Sequence, residues 1–221
     1  MSWESTAVYY RLINERVREL RGGVHSADCI VRSLDFAEIA ELQSDARWDE
    51  AGKLLGREAR ALVTAGAEVL VLCTNTMHKV APAIEQSAGV PLLHVADATA
   101  EAIKARGLGS VGLLATAYTM EQDFYVGRLR ERHGLEVIVP GASDRAEIHR
   151  VIYEELVRGK VEPQSRQRYR RVIEGLVDDG AAAILLGCTE IGLLIGADDA
   201  TVPVFDTTRV HAERAVEFAL A

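Results

Sequence analysis

The sequence predicts an α/β protein of two similar parallel-sheet domains related by a pseudo-twofold axis, with an active site in the cleft between them. Three observations carry this. Short apolar runs alternate with stretches of helical period, the pattern of parallel strands joined by helices. Both halves carry one order of features: a strand, Cys-Thr, a helix, a Val-Pro strand and an aspartate. No low-complexity stretch or long linker interrupts the 221 residues.

The elements follow in order. Met1-Ser2-Trp3-Glu4-Ser5-Thr6 carries helix-capping types. Val8, Leu12, Ile13, Val17 and Leu20 keep helical spacing, and Gly22-Gly23 stops the helix. Residues 29–34, Cys-Ile-Val-Arg-Ser-Leu, read as a strand. Residues 48–65 are helical, ended by Gly66. Val69 to Leu72 is a buried parallel strand that stops at Cys73, and Met77, Val80, Ala81 and Ile84 begin a helix. Val90-Pro91 opens a strand over 92–95. Residues 98–105 are helical, 110–114 a strand, 120–133 one helix, and 135–139 a short strand. Helices over 144–157 and 165–179, strands over 183–186 and 202–205, and a terminal helix over 211–220 complete the chain.

Composition excludes several function classes. Net charge is −8, a field that opposes nucleic acid and anionic membrane. No apolar run approaches the ~20 residues of a membrane span, and no signal peptide precedes the first helix. Three cysteines without a C-x-x-C pair argue against a disulfide scaffold and for a reducing cytoplasm. The six histidines make no metal-ligand spacing, so no metal is expected. G-x-G-x-x-G, P-loop and G-x-S-x-G motifs are absent.

The repeat carries the chemistry. Gly66-Ala67-Glu68-Val69-Leu70-Val71-Leu72-Cys73-Thr74 lays over Gly180-Ala181-Ala182-Ala183-Ile184-Leu185-Leu186-Gly187-Cys188-Thr189, with Gly187 as one extra residue. Val90-Pro91 and Val202-Pro203 follow, then Asp97 and Asp206. Such a shared order implies a duplicated unit. The boundary falls near Ala96-Asp97-Ala98, so 1–97 with 206–221 form one domain and 98–205 the other. Duplicated turns facing each other would set Cys73 and Cys188 on opposite walls of one pocket. The plain alternative is two independent core cysteines. Cys29 has no counterpart and reads as a buried structural residue.

Two opposed thiols suit proton transfer: a thiolate removes a proton from carbon and the opposite thiol returns one to the other face. Each placed acid or base contributes ~10²–10⁴-fold. Turn amides and the helix dipole are expected to lower one thiol's pKa. Asn75, Thr76, Thr116, Thr119 and Thr189 fall at predicted strand ends, where they cap helices or hold the substrate carboxylate.

These motifs resemble the aspartate/glutamate racemase family: Met1 to Thr6, Cys73-Thr74-Asn75-Thr76-Met77-His78-Lys79, Ala115-Thr116-Ala117-Tyr118-Thr119-Met120-Glu121 and Gly187-Cys188-Thr189-Glu190-Ile191-Gly192. The likeness covers essentially the whole chain and looks closest to the bacterial branch acting on acidic or broader amino acids. It implies acid/base cysteines at Cys73 and Cys188 and substrate binding at Thr74, Asn75 and Thr76. It also implies substrate contacts at Met1 and Gln43, and no need of pyridoxal phosphate or metal. Family members carry an apolar strand and Gly-Gly before the Met-Ser-Trp stretch, so the resemblance implies that the first strand of domain one is missing here. The expected partners are an amino acid and at most a second copy of the chain. Maleate isomerase or arylmalonate decarboxylase chemistry on the same fold, and a catalytically lapsed amino-acid-binding protein, are the competing readings. Arg32, Arg158 and Lys160 are the candidate cations for an acidic side chain.

Overall fold

The computed structural model describes residues 1–221. It forms two compact units, Met1–His94 with His211–Ala221, and Val95–Val210. All strand pairs are parallel. The crossover expected at 96–98 falls inside a helix that starts at Val95.

In the first unit, α1 (Trp3–Arg21) begins where Ser2 Oγ accepts from the Ser5 amide at 3.1 Å, and ends at Gly22 with φ of 72°. Helix α2 (Phe36–Ser44) is capped by Asp35, whose side chain accepts from the Ala37 amide. Helix α3 (Trp48–Thr64) leads to β1 (Leu70–Val71). A 3-10 turn over Thr76–Val80 then runs into α4 (Ala81–Ala88), and β2 (Leu92–Leu93) pairs with β1 as Leu70↔Leu92 and Val71↔Leu93. Ile39, Ala51, Leu55, Leu70, Met77, Ile84 and Leu92 form the core. Helices α3 and α4 meet at a glycine: a Cβ on Gly56 would sit 2.5 Å from Ser87 Oγ and 2.8 Å from Ser87 Cβ. Tyr9 and Leu12 of α1 pack on Ala212 in a second, smaller cluster.

The strand expected at 29–34 does not form. A strand is stable only as part of a ladder, and this segment has no strand beside it. Its ties are the Ala27 amide on Asn14 Oδ1 at 2.9 Å and Arg32 on Glu58 at 2.7 Å. Ile30 and Val31 stay about half exposed, at 47% and 51%. The expectation of a buried Cys29 fails too: only Leu34, at the end of the segment, packs on the core, and the Cys29 thiol is exposed.

The second unit opens with α5 (Val95–Lys104), β3 (Ser110–Leu114), α6 (Ala117–Glu121) and α7 (Val126–His133). Then come β4 (Glu136–Ile138), α8 (Ala142–Glu154), α9 (Pro163–Asp178), β5 (Ile184–Leu186) and β6 (Val204–Asp206). The final helix, α10 (Thr207–Leu220), starts here and reaches the first unit at His211. The sheet order is β4-β3-β5-β6. Two of its strands, β3 and β5, carry the fully buried run Val111, Leu113, Leu114, Ile184 and Leu185, as strands covered on both faces should. The loop after β5 is tied by Arg166, whose Nε and Nη2 each donate to Asp199 at 2.9 Å.

The single helix expected over 120–133 is broken, with Gln122 extended at φ −110° and ψ 146°. Met120 and Tyr125 are both buried. Five residues apart, they would point to widely different sides of one continuous helix. The break turns both toward the core.

The duplication is visible in the backbone. Gly66 and Gly180 share the left-handed conformation, at φ 106° and 100°. Leu70 donates to Pro91 O at 2.8 Å, and Ile184 to Pro203 O at 2.9 Å. The prolines fit because each supplies only an acceptor at that rung.

Candidate active site

Each unit presents one Cys-Thr turn at a strand's carboxyl end, where open α/β sheets place ligand sites. The first turn follows β1. The Thr74 amide doubles back to Leu72 O at 2.7 Å, and Cys73 Sγ points a long bond of 3.6 Å at Val71 O. Thr74, Asn75 and Thr76 are buried polar residues here. The Met1 nitrogen donates to Cys73 O at 3.1 Å. Gln43, from α2, is buried and donates to Met77 Sδ at 2.9 Å. The structure therefore gathers Met1, Cys73, Thr74, Asn75 and Thr76 at one turn, with Gln43 on the methionine that follows it.

One electrostatic expectation fails. No α-helix starts at Cys73: the 3-10 turn begins at Thr76, and α4 only at Ala81. A dipole acts within its first turn and is small for so short an element. Burial pushes the Cys73 thiol up to about 11 instead.

The second turn follows β5. Gly187 donates to Leu114 O at 2.7 Å, and a Cβ there would meet Leu113 Cδ1 at 2.9 Å and Ala115 Cβ at 3.0 Å. The extra residue of the second copy is thus a glycine because β5 passes against β3. Cys188 Sγ donates to Glu190 Oε2 at 3.0 Å, and Thr189 Oγ1 donates to the same oxygen at 2.6 Å. Burial raises the Cys188 thiol well above its ordinary value, and the Glu190 charge raises it further. On the neighbouring strand's end, Thr116 and Thr119 hydroxyls pair at 3.2 Å. Neither Asn75 nor Thr116 makes a side-chain cap bond, so the capping role expected from sequence is not theirs.

Sequence reading missed part of this half. Glu190 stood in the Cys-Thr-Glu motif and could have been found as a carboxylate two residues from a thiol. Tyr118 stood in the quoted Ala115–Glu121 stretch without a role, and Tyr153 and His149 had no local signal. Tyr153, on α8, is held above its ordinary range by burial, then by the nearby Cys188, Tyr118 and Glu190. His149 lies against Tyr153 at 4.7 Å between ring centroids and accepts from the Ala117 amide at 3.2 Å. Its proton therefore sits on Nε2 in the neutral ring.

Of the candidate cations, Arg32 is engaged by Glu58, and Arg158 and Lys160 are exposed. No cluster of three or more His, Cys, Asp or Glu side chains has a metal-binding arrangement. No helix is long and apolar enough to cross a membrane.

Comparison with known proteins decides the family. The model of the Asp/Glu/Hydantoin racemase family matches residues 1–215. The chain belongs to that family. A candidate Asp/Glu racemase of Yersinia pestis, known from its crystal structure, is 56% identical, with 100% of this chain and 96% of that one covered and a TM-score of 0.94. An aspartate racemase homologue from Pyrococcus horikoshii is 35% identical over 99% of this chain and 95% of its own, with a TM-score of 0.85. The glutamate racemase of Deinococcus radiodurans is 27% identical over 170 residues, 74% of this chain. The chain spans about half, 56%, of that curated relative's length. In this racemase-family chain, the two cysteine turns and Glu190 are the features that need a chemical account.

Proposed function

We propose that the chain is a cofactor-independent α-amino-acid racemase in which Cys73 and Cys188 exchange the α-proton at opposite faces of one substrate carbon. The observation that carries this reading is the matched pair of Cys-Thr turns, each leaving a strand with the same rung to a Val-Pro partner. Duplicated scaffolds that keep a nucleophile in each copy call for a reaction with two equivalent half-steps.

The half-steps balance. The Cα–H bond breaks as an S–H bond forms on one cysteine. The other cysteine's S–H bond breaks as a new Cα–H bond forms on the opposite face. One thiol starts ionised and the other ends ionised, and the reverse reaction restores the first state. Both thiols are raised at rest, so ionisation accompanies binding: the first thiol gives its proton to solvent water as the substrate ammonium brings positive charge beside the sulfur. Cys73 has no carboxylate in hydrogen-bond contact, whereas Cys188 holds its proton against Glu190. We assign Cys73 as the thiol that ionises first and Cys188 as the donor. Thr74, Asn75, Thr76, Thr116, Thr119 and Thr189 supply hydroxyl and amide donors for the α-carboxylate. Met1 and Gln43 line the first turn.

Aspartate and glutamate are the substrates to try first, because the similar proteins include an aspartate racemase homologue and a glutamate racemase. The test is proton NMR of each enantiomer in deuterated water. Loss of the α-proton with appearance of the other enantiomer is the expected result. Binding without exchange would mark a lapsed binding protein. Turnover of maleate or an arylmalonate without racemisation would mark the sister chemistries.

A further inference from the structure

Three histidines outside the proton-transfer scheme are buried together in the first unit. His78 is 2% exposed, His94 7% and His211 0%. The His78 ring lies 4.5 Å from the His94 ring and 5.8 Å from the His211 ring. Histidines at positions 78, 94 and 211 come from the turn after Cys73, the end of β2 and α10. A merely apolar filler at these sites would be simpler, since each buried ring nitrogen needs a partner.

The partners assign the tautomers: Leu93 O acts on His78 as well as His211 but is taken at 2.9 Å by His211 Nε2, so the proton of His78 is assigned to the nitrogen on Thr74 O. A carbonyl oxygen only accepts, so the nitrogen facing it must carry the proton. His78 Nδ1 lies 2.7 Å from Thr74 O, and His211 Nε2 lies 2.9 Å from Leu93 O. His211 Nδ1 is then bare, and the Tyr9 hydroxyl donates to it at 2.8 Å. Burial, His94 and His211 all oppose a charge on His78, while the Thr74 and Leu93 carbonyls favour one. The neutral ring prevails.

What the His78 bond holds is part of the reactive turn. Along this stretch the backbone follows 3-10 spacing, and the His78 amide goes to Asn75 O at 3.0 Å. Regular α-helical spacing would have sent that amide to Thr74 O. The ring of the same residue takes Thr74 O instead. Fixing that carbonyl fixes the Thr74–Asn75 peptide plane, and so the direction of the Asn75 amide two residues after Cys73.

We propose that His78 is a positioning residue for the Cys73–Asn75 turn, acting through its Nδ1–H bond to Thr74 O, with its ring packed against those of His94 and His211. The inference rests on the proposed role of this turn in proton transfer. It says which atom does the positioning, so close substitutions separate it from space filling. Asparagine can place an amide N–H near the position of Nδ1, glutamine near that of Nε2.

The test has two independent readouts on the whole protein. Long-range proton–nitrogen NMR of the wild type should show the proton on Nδ1 in His78 and on Nε2 in His211. In exchange and racemisation assays His78→Asn should keep kcat within about threefold. His78→Gln and His78→Leu should lose tenfold or more in kcat with little change in KM. Iodoacetamide labelling of Cys73, read by mass spectrometry, should follow the same ranking of departure from wild type. An Nε2–H tautomer at His78, or Asn, Gln and Leu variants that behave alike, would overturn the proposal. If the wild type exchanges no α-proton, the racemase reading fails. The tautomer and the labelling rates then still decide whether His78 positions the turn.

Discussion

The two cysteine turns share a backbone and differ in chemistry. Both follow a parallel strand that starts after a left-handed glycine and bonds to a Val-Pro partner. Around Cys73 the polar groups carry no negative charge: threonines, an asparagine, His78 bonded to a carbonyl, and the Met1 ammonium, which opposes the effect of burial on the thiol. Around Cys188 they are a carboxylate and phenols. A sheet keeps its rungs as long as backbone geometry is kept, so duplication preserves the strands while side chains at their ends drift. The result is two thiols with unequal hold on their protons, which a two-base reaction can use by starting from one side.

The largest effect expected is loss of both half-steps. Cys73→Ser and Cys188→Ser should each lower racemisation by ~10³-fold or more, since a hydroxyl neither ionises near neutrality nor gives its proton up readily. Melting curves should stay near wild type. Near-normal turnover in both directions by either variant would break the comparison at its root. Either variant could still exchange the α-proton of one enantiomer through the base that remains.

Removing the carboxylate sharpens the contrast. Glu190→Gln keeps an acceptor at the Cys188 proton and removes the charge that raises its pKa. The Cys188 alkylation profile should move to lower pH, while that of Cys73 stays in place. Turnover should fall ~10–100-fold, the effect of losing a charge-assisted bond of ~1.5–3 kcal/mol. Unchanged alkylation at Cys188 would show that burial alone sets it.

Acid should act on the first unit through its histidines. Burial lowers His211 to about 4 and His78 well below its ordinary value. The unfolded chain binds these protons first, near pH 6.5. Stability is therefore full above that pH and is lost as pH falls toward 4. For His211 alone the loss from pH 7.5 to pH 5 is about 2 kcal/mol. Denaturant midpoints at the two pH values measure it. Equal midpoints would mean that the cluster does not bury neutral rings.

The smallest effect concerns the one-residue difference between the copies. Gly187→Ala should destabilise by ~1–3 kcal/mol through overpacking, because its Cβ would press on Leu113 and Ala115. A denaturation midpoint within error of wild type would mean that β5 can move away from β3.

The alternation of helices and strands, the Gly66 and Gly180 turns, the Val-Pro rungs and the two Cys-Thr pairs were legible in the sequence, because period, glycine and proline act within a few residues. Tertiary structure alone decided the rest. Residues 29–34 have the composition of a strand, but a strand needs a neighbour's backbone. The break after Glu121 follows from where the core lies relative to Met120 and Tyr125. Glu190 gained its meaning from the direction its carboxylate takes toward Cys188. His78, His94 and His211 are up to 133 residues apart, and only packing makes them one cluster. Local pattern sets which backbone conformations are cheap; burial and hydrogen-bond partners depend on what the rest of the chain brings alongside.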